Sequence, residues 1–541
     1  MGNWIDGLWR SRIKKNWKIA FFSACIMGLL VHMYKFTNSF PYFDTLYNYY
    51  SSQNLVGSGR WLLSAACALT SYFDLPWLNG LAAVFFMGLT AAVVTDVLDM
   101  ENPYLIALSS GLMVSFPAIT ETMFFEYAAD GYMLAMLLSA LAVRFSTMEH
   151  LRSSRHLLLS AACICLSCGI YQAYLSFALV LAICYFLGVL MDGRWNLSQC
   201  LKWIGFQAGV YVLGLAAYYG IWRFALMANG MSALDYQGIS QTGTVGLGTI
   251  VTGIRQSLVS FLLFLIEQNP LRYGFTLYAV LNIGVVLVFL VGIGLGIYRS
   301  GLYRQKLRLL LMVICLAAVP MVCYICYFVS PGVTYFTRML QSVAVLYLFA
   351  GVLWQRVGGK MGKEIVFLLL AAVIWNQTVM ANVCYLYLDR SYEQSYADAQ
   401  EMATRIHMED DGTVKYVAFV GFLDTISEED YQDDARLGTL GPLKLVYKAE
   451  LRYDEHIILF MRQYLDFTLS YYRETGEPVP LMELEDAAPV PKGTEIPFPI
   501  VSRQRAQELS GSSQVKNMGI WPRKDSVQRI GDTIVVKLSE P

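Results

Sequence analysis

Residues 274–298 read GFTLYAVLNIGVVLVFLVGIGLGIY, with no charged side chain until Arg299 follows. About 20 predominantly apolar residues carry a helix across the hydrocarbon core of a bilayer, so this stretch reads as a membrane span. Similar runs precede it near residues 17–36, 76–98, 103–119, 128–146, 157–171, 174–191 and 203–226, and follow it near 309–329, 336–355 and 364–386. Together they predict an α-helical polytopic membrane protein with about eleven transmembrane helices. Composition agrees: 56% hydrophobic and only 15% charged residues lie on the membrane side of the balance found in soluble domains.

Charge asymmetry sets the expected orientation, because Lys and Arg near span ends collect in the cytoplasm. With a cytoplasmic N-terminus, Arg10, Arg12, Lys14, Lys15, Lys18, the Arg144 to Arg155 group, Arg194, Lys202, the Arg299 to Arg308 group, Arg356, Lys360 and Lys363 all fall inside. These are 17 of the 23 basic residues before residue 390; Lys35, Arg60, Arg223, Arg255, Arg272 and Arg338 fall outside. Two apolar runs look too short to cross. Leu258–Ile266, between Arg255 and Glu267, is expected to be an outer juxtamembrane or re-entrant helix, since counting it as a span would carry the Arg299 to Arg308 loop outside. Residues 58–73, which end before Asp74 and Pro76, are expected to lie along the outer interface as an amphipathic helix. Bulky Lys35-Phe36 follows the first span where a cleavage site would need small residues, so that span is expected to remain as an anchor. All eleven cysteines precede residue 385, and most lie in spans, which argues against a disulfide framework. Cys323 and Cys326 read as packed small residues.

Composition changes after Asp389. Residues 390–541 hold 17 basic and 26 acidic residues, whereas residues 1–389 hold 23 basic and 15 acidic. Two domains follow: a membrane domain over 1–389 and a soluble α/β or α+β domain over 390–541, large enough for its own core and, with eleven crossings, outside the cytoplasm. In it, Ser391–His407 and Asp454–Leu469 read as helices, Val414–Gly421 and Thr533–Leu538 as strands, and Glu477-Pro-Val-Pro and Pro489-Val-Pro as loops. Its acidic balance excludes nucleic acid as a partner.

Ionisable groups beside a membrane are costly to hold and are functional candidates by default. Asp44, in Phe43-Asp44-Thr45, follows the first span directly. Glu126 and Asp130 are four residues apart, so a helix starting there puts them on one face; capping of that helix is the competing explanation. Arg60, after Gly57 and Gly59, and Arg338, at the start of a span, suit a phosphate, whose oxygens accept forked hydrogen bonds from a guanidinium; snorkelling to headgroups is the alternative. Tyr127, Tyr171 and Gln172 could stack on or hydrogen-bond a sugar, or simply anchor the interface.

The order Phe43-Asp44, Gly59-Arg60-Trp61, Glu126-Tyr-x-x-Asp130, Tyr171-Gln172-Ala and Arg338 resembles the bacterial type II membrane glucosyltransferases, which include O-antigen serotype-converting enzymes. The resemblance covers nearly the whole membrane part and implies a GT-C-like fold in the bacterial cytoplasmic membrane. It further implies a polyprenyl-phosphate sugar donor, with glucose the expected sugar, and a glycan or lipid-linked glycan acceptor outside the cytoplasm. Many members of that family carry two adjacent acids where this chain has Phe43-Asp44, which leaves one carboxylate there and weakens the case for a metal site; no cofactor is assigned. The expected chemistry is a single displacement with Asp44 as general base, Glu126 and Asp130 binding hydroxyls or assisting, and Arg60 and Arg338 holding the phosphate. A lipid-linked sugar transporter or flippase is the alternative; it should show repeat symmetry or helices broken at mid-membrane, which the sequence lacks.

Overall fold

The computed structural model describes residues 14–48, 51–148, 154–234, 246–266, 276–329, 333–423, 441–443, 451, 454–479, 499–501 and 503–540. Arg10, Arg12, Arg152, Arg272, Glu267 and the Pro489 loop lie outside these residues. The chain divides into two compact units: residues 1–37, 52–383 and 438–444 form the first, and residues 38–51, 384–437 and 445–541 the second.

The first unit is helical. Its long elements are α1 (Lys15–Thr37), α2 (Pro76–Val97), α3 (Pro103–Ser115), α4 (Ala129–Thr147), α5 (Ser154–Ile170), α6 (Tyr174–Asp192), α7 (Leu197–Ala228), α8 (Leu247–Ile266), α9 (Leu277–Arg299), α10 (Lys306–Cys323), α11 (Gln341–Val357) and the first half of α12 (Lys360–Glu409). Among the described residues, nine helices are long and apolar enough to cross a membrane, and α3 and α5 are shorter apolar helices. Polar punctuation sets several boundaries. Asn102 caps α3 by accepting from the amides of Tyr104 and Leu105 at 2.9 and 3.2 Å, Asn196 and Gln199 form a reciprocal capping box on α7, and the Thr276 hydroxyl caps α9. These side chains satisfy amide groups that lack an intrahelical acceptor.

Charged residues gather at one end of this unit, where α1 and α10 begin and α2, α4, α6, α9 and α11 finish. Asp96 takes Lys14 at 2.6 Å and Arg144 at 2.5 Å. Asp192 takes Arg194 and, at 3.2 Å, Arg356, while Arg299 donates to the Val357 carbonyl. This is the basic end. The opposite, far end carries the end of α1 and the starts of α2, α4, α6 and α11.

Several expectations change. The predicted span over 103–119 breaks at Phe116-Pro117, with a separate helix over Pro117–Thr122. Proline has no amide hydrogen and drives the preceding residue out of the helical region. The predicted span over 309–329 stops at Cys323, and a separate short helix covers Cys326–Val329. Residues 58–73 are not an amphipathic helix. They fold as the helix Leu63–Ala66 between single turns at Val56–Ser58 and Ala68–Thr70, and left-handed residues at Gly59 and Ser71 end the two single turns.

Leu258–Ile266 is only the second half of α8, whose first half, rich in Gly and Thr, hides the helix from an apolar count. Gly253 of α8 lies against Phe328, Ser260 bonds Tyr327 and Tyr324, and the Phe264 and Leu265 carbonyls accept from Tyr278 and Asn282 at 3.0 and 2.9 Å. These partners of α8 follow α10 or open α9, and α8 also packs on α10 itself.

The second unit contains the remainder of α12, α13 (Asp454–Leu465) and a three-stranded sheet of β1 (Tyr416–Val420), β2 (Val527–Ile530) and β3 (Thr533–Lys537). The sheet order is β1-β3-β2, with β1 and β3 parallel and β2 antiparallel to β3. The helix expected over Ser391–His407 is continuous with the last span, since neither Gly nor Pro interrupts residues 386–409. β1 is apolar throughout because both faces are covered. Val417 and Phe419 pack with Ala399, Met402, Ile457 and Ile458, whereas Ala418 and Val420 pack with Val501, Leu509 and Val535. β2 escaped the sequence reading: only Val527 and Ile530 of its four residues are apolar.

His456 on α13 is buried with its ring edge-on to Tyr47. Burial lowers its pKa to about 4, against a smaller opposing effect of Glu455. Neutral in the fold and protonated below about 6.5 when unfolded, it leaves stability intact above that pH and removes it as pH falls towards 4. The ceiling is about 3 kcal/mol. Hydrogen exchange of α13 amides in the full chain should therefore lose protection between pH 6.5 and 4, and His456→Gln should flatten that difference. An equal pH response in both proteins would refute the burial argument.

Candidate active site

The site is assembled at the far end of the first unit, starting from the turn that carries Arg60. Leu55 and Arg60 form an antiparallel bridge around a single turn at Val56–Ser58, and Gly59 adopts φ +83°. Glycine is needed twice over: L side chains rarely adopt that angle, and a Cβ would stand 2.3 Å from the Tyr218 hydroxyl and 2.6 Å from Gln172 Nε2. Those two groups hold the turn. Gln172 Nε2 donates to the Ser58 carbonyl and to Tyr218 Oη, both at 2.9 Å, and Trp222 Nε1 donates to the Val56 carbonyl at 2.8 Å. Next in sequence, Trp61 packs on Gly169, and the Leu62 amide donates to the Gly169 carbonyl at 2.8 Å.

Fixed this way, the Arg60 guanidinium lies over the Tyr171 ring, 4.7 Å from its centroid, and donates through Nη1 to the Tyr132 hydroxyl at 3.4 Å. Tyr171 stacks on Tyr132 at 4.8 Å and meets Tyr174 edge-on at 5.9 Å. The Tyr174 hydroxyl accepts from Gln341 Nε2 at 3.3 Å, and the same amide reaches the Arg338 carbonyl. A continuous row of aromatic and amide groups thus links Arg60 to Arg338.

Arg338 is tied to a carboxylate that the sequence reading passed over. Glu121 accepts from Arg338 Nη1 at 2.7 Å and from its backbone amide at 2.8 Å, and the guanidinium packs on Phe125 and Phe336 at 4.3 and 4.0 Å. With 217 residues between the partners, no spacing rule could have paired them.

Glu126 and Asp130 take different surroundings. Residues Glu126–Ala128 form a single turn and α4 starts at Ala129. Glu126 accepts from Lys35 Nζ at 2.5 Å with both side chains buried, and Asn79 donates to its carbonyl at 3.0 Å. Lys35, read from sequence as an outer basic residue, is therefore an internal counter-ion. Asp130 is 1% exposed. Its Oδ1 accepts from the Gly131 amide at 2.8 Å, and the Cys67 thiol hydrogen-bonds the carboxylate. Tyr127, half-buried, meets Phe125 edge-on at 6.1 Å.

Asp44 belongs to the second unit. It sits in the first turn of the short helix Phe43–Asn48, half-buried, with its carbonyl accepting from Asn48 Nδ2 at 2.8 Å. That helix is anchored to α13: Leu46 enters the unit's core, its carbonyl accepts from Gln463 at 3.0 Å, and the Tyr47 hydroxyl donates to Glu455 at 2.9 Å. Among the described residues, no three His, Cys, Asp or Glu side chains form a group that could hold a metal.

A family model described as "Glucosyl transferase GtrII" matches residues 33–354, more than half of the chain and including every residue of the Arg60 to Arg338 row. No curated protein and no solved structure matches the chain.

Proposed function

The chain belongs to the glucosyl transferase GtrII family, and from that premise we propose that it moves glucose from a polyprenyl-phosphate donor to a cell-surface or lipid-linked glycan. The transfer takes place at the outer face of the cytoplasmic membrane. The observation that carries this reading is the Arg60 turn, whose guanidinium is held against Tyr171 and Tyr132 by Gln172, Tyr218 and Trp222. A rigid arginine fork among aromatic rings suits a phosphate that carries a sugar.

In this reading the basic end faces the cytoplasm. Gly253, Ser260 and Phe264 of α8 all meet residues of the far end, so in this reading α8 is re-entrant. The other eleven long helices cross, and residues 390–541 lie outside. Lipid-phosphate sugars suit that side, since nucleotide sugars are cytoplasmic.

The reaction is one displacement. The acceptor oxygen bonds to the anomeric carbon as the carbon–oxygen bond to phosphate breaks, a carboxylate takes the hydroxyl proton, and the bonding pair leaves with the lipid phosphate, inverting the anomeric configuration. Arg60 stabilises the charge gained by that phosphate. Arg338, already balanced by Glu121, acts as the second donor. Asp44 is the base; Asp130 and Glu126 bind sugar hydroxyls. Tyr127 packs on the sugar, Tyr171 backs the Arg60 guanidinium, and Gln172 positions the Arg60 turn.

The test is incubation of the purified protein with an extracted envelope glycan and either polyprenyl-phosphate glucose or UDP-glucose, with mass analysis of the glycan. A gain of one hexose with the lipid donor alone supports the proposal. Transfer from UDP-glucose alone would remove it.

A further inference from the structure

At the basic end, remote from the Arg60 row, a cavity of about 660 Å³ opens between the α6–α7 turn and the start of α10. Arg194, Trp195, Asn196, Lys306 and Arg308 are among its lining residues. Two long helices, α7 and α10, begin at this cavity with no acidic residue in either first turn, and α10 begins without a side-chain cap. Helix starts are electropositive.

Arg308 supplies an independent sign of an anion site. Its side chain is buried, at 8% exposure. Nη1 donates to Gln305 Oε1 at 2.7 Å and Nη2 to the Leu190 carbonyl at 2.8 Å, both neutral acceptors. Its Nε has no hydrogen-bond partner among the described residues. Among the described residues this buried cation meets only neutral oxygens and keeps one donor unsatisfied, which is costly. The nearby carboxylates are already engaged: Asp192 by Arg194 and Arg356, and Asp99 by Arg194. Lys306 is exposed and adds a second positive charge to the lining.

The surroundings indicate where the anion comes from. Trp195 packs with Tyr185 and Trp203 at 6.2 and 6.1 Å, a largely buried aromatic cluster that backs the cavity. Leu201 and Leu307 beside it are more than half exposed, as residues facing lipid would be. Basic pockets between helices at this level of a membrane suit lipid headgroups.

We propose that this cavity binds the phosphate of an anionic membrane lipid, held by Arg308 and Lys306 at the start of α10. The proposal is independent of the transfer reaction at the far end.

Native mass spectrometry of the full chain in detergent tests it, with phosphatidylglycerol, phosphatidylcholine and inorganic pyrophosphate titrated separately. Phosphatidylglycerol should bind about tenfold more tightly than the zwitterionic lipid, and Lys306→Gln and Arg308→Gln should each weaken it about fivefold, the effect of about one basic contact at a membrane surface. Lys306→Gln changes an exposed side chain, so the test survives even if Arg308→Gln disturbs the junction of α10 with α6. Pyrophosphate binding that Lys306→Gln weakens, without a lipid preference, would replace the lipid with a soluble phosphate and overturn the proposal. Lipid binding that neither substitution changes would overturn it as well.

Discussion

Asp44→Asn lowers the rate of sugar transfer by about 10² to 10⁴, the usual contribution of a general base, while the amount of folded protein stays near that of the parent. The substitution keeps the shape of the side chain and removes its ability to take a proton at working pH. Asp44 is half-buried at the start of a short helix, so Asn, itself suited to helix starts, should alter stability by well under the amount needed to unfold the chain. Rate and abundance are then separable by a single-turnover assay on quantified protein. A parental rate in Asp44→Asn, together with an inactive but folded Asp130→Asn, would move the base to the start of α4.

Glu126→Gln produces a large effect of a different kind. Lys35 is 1% exposed and meets Glu126 at 2.5 Å, and removing one partner of a buried ion pair leaves an uncompensated charge at a cost of about 3–5 kcal/mol. The variant should accumulate poorly and unfold at a markedly lower temperature. Adding Lys35→Met removes the orphaned charge, and because apolar replacements of buried pairs are often close to neutral, the double variant should recover most of the lost stability. Thermal unfolding of the purified single and double variants checks this. If the double variant is no more stable than Glu126→Gln alone, the two residues are not coupled and the buried-pair account of the instability fails.

These two predictions draw on different kinds of information. Apolar runs mark the helices of the first unit because each must present some 20 apolar residues to lipid, and polar caps such as Asn102 and Asn196 sharpen their ends. The same logic brought most of the basic residues to one end and left Arg60, Tyr171, Gln172 and Arg338 for the other. The pairings within that far end were not legible. Lys35 and Glu126 are 91 residues apart and Glu121 and Arg338 are 217 apart, and each pair is chosen by helix packing that leaves no periodic trace. Gln172 looked like a sugar ligand from its exposed-turn position, yet its amide nitrogen is committed to the Ser58 carbonyl and Tyr218. Asp44 follows the first span directly in sequence, yet Leu46 and Tyr47 fasten its helix to α13, an attachment that involves residues about 400 positions away. α8 was halved because Gly and Thr dilute its first turns.

The central claim is that Arg60 holds the phosphate of the sugar donor, and the most direct measurement is the donor-concentration dependence of transfer by Arg60→Lys. Lysine keeps the charge but loses the forked geometry and the flat contact with Tyr171. The account predicts a donor KM raised about tenfold, a loss of about 1.4 kcal/mol, with the acceptor KM unchanged. A donor KM equal to that of the parent protein, in a variant that is folded and active, would contradict it.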